Sequence, residues 1–136
     1  MDVAEALPFL RDNHRSVLIT LRRTGMLQTS PVSHAVNDDG QIVISSREPA
    51  YKVRNLRRDP AATLCVLSDG FFGEWRQADG IATIVSLPEA MDGLIDYYRR
   101  LAGEHDDWDD YRSAMTRDRR CLIVIDITKV GPDRAG

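Results

Sequence analysis

Val3, Ala6, Leu7 and Leu10 recur at helical spacing at the start of the chain, which predicts a short amphipathic helix over residues 2–11. The pattern then changes to the run Val17-Leu18-Ile19-Thr20-Leu21, β-branched and apolar, and predicts a strand over 16–21. Arg22-Arg23-Thr24-Gly25 supplies a turn with glycine where positive φ is cheap. A second strand is expected over 26–36, with Pro31 marking an edge or a bulge. Asn37-Asp38-Asp39-Gly40 is a hairpin signal leading into a strand over 41–45. Glu48-Pro49 opens a short helix, and Pro60 stops it.

The second half continues the β pattern. Residues 61–67 read as a buried strand, and 71–85 as one long or bent strand with Gly73 and Gly80 at bulges or close backbone approaches. A helix starts at Pro88, carries the stripe Met91, Leu94, Ile95, Tyr98 and Leu101, and ends at Gly103. A second short helix carries Tyr111 and Met115. The last strand covers 121–130, and 131–136 reads as a frayed tail. Six strands joined mostly by turns predict a small antiparallel barrel with peripheral helices, rather than a doubly wound sheet.

Length, composition and charge narrow the function. A chain of 136 residues suits one domain with a single sizeable core. Its 43% hydrophobic and 29% charged residues are ordinary for a soluble protein. The net charge of −3 argues against a general nucleic-acid binder, while leaving room for a local basic pocket. Cys65 and Cys121 lie in apolar runs and read as small hydrophobes in a reducing compartment. With no membrane-length apolar run and no signal-peptide pattern, a cytoplasmic location with no membrane partner is expected. His14, His34 and His105 are not in metal-ligand spacing, and no serine or cysteine has the context of an activated nucleophile.

The chemistry concentrates in residues 45–60. Ser45, Ser46 and Arg47 end a strand and lead to a helix N-terminus followed by Lys52, Arg54, Arg57 and Arg58. Free N–H groups and the positive dipole end favour an anion there, so this segment is a candidate phosphate site; a solvated basic helix face is the alternative. At about 100° per residue, Lys52 and Asn55 are expected on one side of the helix and Arg54, Arg57 and Arg58 largely on another. Pairing of strands 26–36 and 41–45 as a hairpin would place Gln28 and Ser30 beside this segment. Trp75 and Trp108 read as core or interface aromatics, or as stacking residues.

The phrase Glu48-Pro-Ala-Tyr-Lys-Val-Arg-Asn-Leu-Arg-Arg-Asp-Pro60, with Gly103-Glu-His-Asp-Asp-Trp-Asp-Asp-Tyr-Arg112 and Asp118-Arg-Arg120, resembles the pyridoxamine-phosphate-oxidase-like split β-barrel flavoproteins. Within them it is most similar to the branch that uses the deazaflavin coenzyme F420, over roughly 14–130. The resemblance implies a six-stranded antiparallel split β-barrel and a homodimer with two interface cofactor sites, each built from both subunits. By position, Lys52 matches the phosphate lysine, with Ser45 and its neighbours completing the cradle; Arg54 and Asn55 match the rest of the motif, Arg54 within reach of the acidic tail of F420. Gln28, Thr29 and Ser30 look like contacts to the deazaflavin ring, and Trp75 holds the aromatic position that borders the pocket. Ala50 stands where some relatives carry a basic residue, and the resemblance makes Arg47, on the other side of the turn, the candidate to replace that charge. The implied activity is hydride transfer from reduced F420 to an electron-poor small molecule of enone, quinone or bilin type, with the proton from solvent or His34. FMN is the alternative cofactor, and a non-catalytic F420 carrier the alternative role.

Overall fold

A computed structural model describes residues 1–132. Its strands are β1 (Arg15–Leu21), β2 (Leu27–Ser33), β3 (Ala35–Val36), β4 (Ile42–Arg47), β5 (Ala61–Leu67), β6 (Trp75–Ser86) and β7 (Arg120–Gly131). They form one sheet in the order β2-β1-β5-β6-β7-β4-β3, with every neighbouring pair antiparallel. The sheet curls into a half-barrel, with helices α1 (Val3–Asp12), α2 (Tyr51–Arg58), α3 (Met91–Ala102) and α4 (Trp108–Arg117) around it. The mainly β architecture with peripheral helices is as the turn-linked pattern predicts. Residues 133–136, in the expected tail, lie outside the described residues, and Gly131 at its start belongs to β7.

Seven strands replace the six expected, because the predicted strand over 26–36 divides at His34. The His34 backbone N–H bonds to His14 O at 2.9 Å, and its ring turns inward, so the chain leaves one strand pairing and enters another. β2 therefore pairs with β1, Gln28 opposite Thr20 and Ser30 opposite Leu18, while only the two-residue β3 forms the hairpin with β4. The expected pairing of Gln28 and Ser30 with the Ser45 strand is corrected: β2 and β4 do not neighbour one another. β6 begins at Trp75 rather than at Phe71, since residues 68–74 close a turn in which Ser68 N–H bonds to Glu74 O. Gly80 sits at a bulge in β6, where a side chain would strike the Asp126 carbonyl.

Two apolar clusters result from the period-2 alternation of the strands. One fills the barrel, joining Leu18, Ile42, Ile44, Leu64, Ile123 and Ile125 to Leu10 of α1 and to Val53 and Leu56 of α2. The other lies on the outer face of β3, β4 and β7, where Ala35, Val43 and Leu122 meet Leu94 and Ile95 of α3 and Tyr111 of α4. Gly103, at φ +81°, ends α3, and Asp107 caps α4 by accepting from the Asp110 N–H at 3.1 Å. Among the described residues, no helix is long and apolar enough to cross a membrane.

Candidate functional site

Helix α2 separates two cationic regions. Val53 and Leu56 anchor it in the barrel core, and no side-chain hydrogen bond caps its N-terminus. On one side Lys52 is half-buried over the end of β7. Burial, and then the charge of Arg120, lower its pKa. The Nε of Arg120 is buried and has no hydrogen-bond partner among the described residues. Arg120 pairs across the sheet with Arg47, whose Nε donates to Asp118 O at 3.3 Å. An anion fits this donor set: it would relieve the repulsion between Lys52 and Arg120 and accept from the orphaned guanidinium.

On the other side, α2 and the β1–β2 turn wall a cleft of about 910 Å³, lined by Arg22, Arg23, Gln28, Tyr51 and Arg54 together with Asn55, Arg57 and Arg58. The volume falls within the range of small-molecule sites. Arg58 donates to Leu21 O and Asn55 Oδ1, both at 2.8 Å, and Arg57 is paired with Glu48 at 2.6 Å. Arg22 Nε holds Gln28 Oε1 at 3.0 Å, aligning the amide along the cleft wall. Thus two of the five guanidinium groups brace α2, and Arg22 orients Gln28.

Not every candidate side chain faces one place. The pleat sends Ser46 inward, where its hydroxyl is buried without a partner among the described residues, and leaves Ser45 on the opposite face of β4. Asn55 belongs with the arginines and not with Lys52: it is buried, and its amide donates to Thr20 Oγ1 at 3.1 Å, tying α2 to β1. The helical wheel expectation that Asn55 shares a side with Lys52 is corrected: the polar Thr20 beneath α2 gives its amide a partner on the side of the arginines. Gln28 reaches the cleft wall, Thr29 points from the exposed face of β2, and Ser30 is half-buried further along the strand. Trp75 stands at the far end of β6 from Ser86, which bonds Glu48 and Arg57. At about 3.3 Å per residue, that separation is roughly 35 Å.

His34 is a structural pin and not an accessible proton donor. It is fully buried, its Nε2–H donates to Leu10 O at 2.9 Å, and its Nδ1 accepts from Ser16 Oγ at 2.8 Å. Burial pushes its pKa down to about 4, against a partly compensating bond to Leu10 and with a further lowering by His14. Cys121 is likewise inert, its thiol raised to about 11 chiefly by burial and then by Glu48. Arg22, Arg23, Tyr51 and Arg120 are the residues that sequence reasoning left out of the site. The signal for the first two was the arginine pair at the Gly25 turn, read there as turn residues alone.

Many solved structures share the fold, three of which illustrate its range. A conserved hypothetical protein from Mycobacterium tuberculosis is 25% identical, with a TM-score of 0.75 over 96% of this chain and 82% of that one. A protein described as an F420 reductase is 19% identical, with a TM-score of 0.68 over 88% and 90%. A FAD-binding protein from Mesorhizobium loti is 16% identical, with a TM-score of 0.64 over 96% and 90%. Residues 3–132 match the family described as Pyridoxamine 5'-phosphate oxidase. This chain therefore belongs to the pyridoxamine 5'-phosphate oxidase family, and its curled antiparallel sheet is the split barrel of that fold.

Proposed function

We propose that this protein is an oxidoreductase that uses coenzyme F420 and reduces an electron-poor small molecule of enone, quinone or bilin type. The observation that carries the reading is the cleft beside α2, with five arginines on its walls in a chain of net charge −3. A phosphate-linked deazaflavin with a carboxylate tail is a ligand whose negative charge matches that wall. When bound, it supplies a hydride at C5 of its ring, so the protein's part is position and electrostatics. Lys52 and Arg120, at the end of β7 beside the α2 N-terminus, hold the phosphate. Arg54 meets the tail carboxylates, and Gln28, fixed by Arg22, lines the ring edge. Asn55 and Arg58 act on the site only by fixing α2 against β1.

A fluorescence titration of the purified protein with F420, FMN and FAD tests this reading. Preference for F420, followed by oxidation of its reduced form on adding an enone, quinone or bilin, supports it. Preference for FMN or FAD sinks the choice of cofactor, and tight F420 binding with no substrate-dependent oxidation sinks the catalytic role. The FAD-binding protein of the same fold is the specific reason to keep FAD in the titration.

A further inference from the structure

Two arginines and a histidine meet at a place that neither the cleft nor the Lys52 region uses. The last turn of α1, the two residues of β3 and the last turn of α3 enclose a hollow of about 190 Å³, lined by Arg11, His14, Ala35, Val36 and Arg100. Ala35 and Val36 are buried and give it an apolar floor. The sheet keeps it apart from the cations at the α2 N-terminus. Val36 pairs with Ile42 at one end of β4, while Arg47, beside Arg120, stands five residues further on, about 16 Å away.

The polar groups around this hollow are incompletely used. Arg11 has neither an ion pair nor a hydrogen bond among the described residues. Arg100 is fixed in place: its Nε donates to Asp96 Oδ2 at 2.7 Å and its Nη2 to Asp38 Oδ1 at 2.9 Å, leaving Nη1 over. His14 donates from Nδ1 to His34 O at 3.0 Å, so in the neutral ring Nε2 is an acceptor, and it has no partner among the described residues. Asp38 shows what the two arginines attract. Its side chain is 95% exposed, yet Arg100, by hydrogen bond and charge, and after it the charge of Arg11 hold the carboxyl below its ordinary range. The chain's own carboxylate thus reaches from the β3–β4 turn to the rim of the hollow, in a surface ion pair that contributes little and is readily exchanged.

We propose that this hollow binds inorganic phosphate, as hydrogen phosphate, with Asp38 moving aside. Arg11 and Arg100 donate to its charged oxygens, Arg100 through Nη1 and the N–H that Asp38 releases. The phosphate hydroxyl donates to Nε2 of His14, the acceptor that the bond to His34 leaves over. That contact chooses among oxyanions. Sulfate carries no proton, and a phosphate ester in mildly alkaline solution is a dianion without one. Either would set an oxygen lone pair against the lone pair of Nε2. The site is independent of what the cleft beside α2 holds.

Titration calorimetry of the Lys52→Ala protein at pH 8.5 tests this, because that variant lacks the lysine of the other anion position and histidine is neutral there. Inorganic phosphate is expected to bind once per chain, with sulfate and glycerol phosphate at least about tenfold weaker. Adding Arg11→Gln, at an exposed position, weakens phosphate at least about tenfold with unchanged circular dichroism. Adding Asp38→Asn instead tightens it, since the competing carboxylate is gone. His14→Asn, whose amide can keep the bond to His34 O, removes the preference for phosphate over sulfate. No binding of phosphate, binding indifferent to Arg11→Gln or to Asp38→Asn, or sulfate held as tightly as phosphate overturns the proposal.

Discussion

The outer face of β3-β4-β7 and the outer face of β2-β1-β5-β6 are both rich in apolar side chains, yet among the described residues only the first is roofed by helices. On the roofed face, Leu94 of α3 is fully buried against Ala35, Val43 and Leu122. On the open face, Val17, Ile19 and Leu21 are half-buried and belong to neither apolar cluster. The same alternation of apolar residues thus builds a second core where a helix returns to cover it, and an exposed surface where none does. His34 stands at the seam, where the chain leaves β2 on the open sheet and enters β3 beneath α3.

That comparison can be broken first at the roof. Leu94→Ala leaves a cavity between α3 and the sheet and is expected to cost about 3 kcal/mol, read by urea unfolding at pH 7. A loss below about 1 kcal/mol would mean that α3 is not held by this contact. The seam gives the next effect. The folded chain keeps His34 neutral down to about pH 4, whereas the unfolded chain binds the proton near pH 6.5. Unfolding therefore takes up a proton between those values, and stability falls on acidification; from pH 6.5 to 5 the loss is about 2 kcal/mol. The same pair of unfolding curves for His34→Gln should lose most of that slope. If it keeps the wild-type slope, another group is the source.

Smaller effects separate the cleft and the open face from the core. Lys52→Ala should weaken F420 binding by about tenfold to a hundredfold, the range of one charge-assisted contact, while the unfolding curve barely moves. An unchanged fluorescence titration would remove Lys52 from the phosphate site. Leu27→Ser, on the open lip, should shift unfolding of the dilute protein by no more than about 0.5 kcal/mol. A large destabilisation would show that Leu27 is already covered within one chain.

Much of the local structure could be read directly. Residues 61–67 form the strand their composition predicts, Asn37–Gly40 turns the β3–β4 hairpin, and the Met91–Leu101 stripe becomes the inner side of α3. The site was less legible. Lys52 and Arg54 fall on separate sides of α2 as their spacing requires, but Asn55, expected beside Lys52, lies with the arginines because Thr20 supplies its partner there. Arg22 and Arg23 look like turn residues until α2 is laid beside them.

By itself, the sequence determined the elements, because periodicity, proline, glycine and turn chemistry act over a few residues. It also determined the cationic character of α2. Only the tertiary structure decided which strands neighbour one another, how His34 splits the chain between two pairings, and which cations share a cleft. Those outcomes depend on contacts between residues far apart in sequence, such as Ser16 with His34 and Thr20 with Asn55, whose partners no local pattern names.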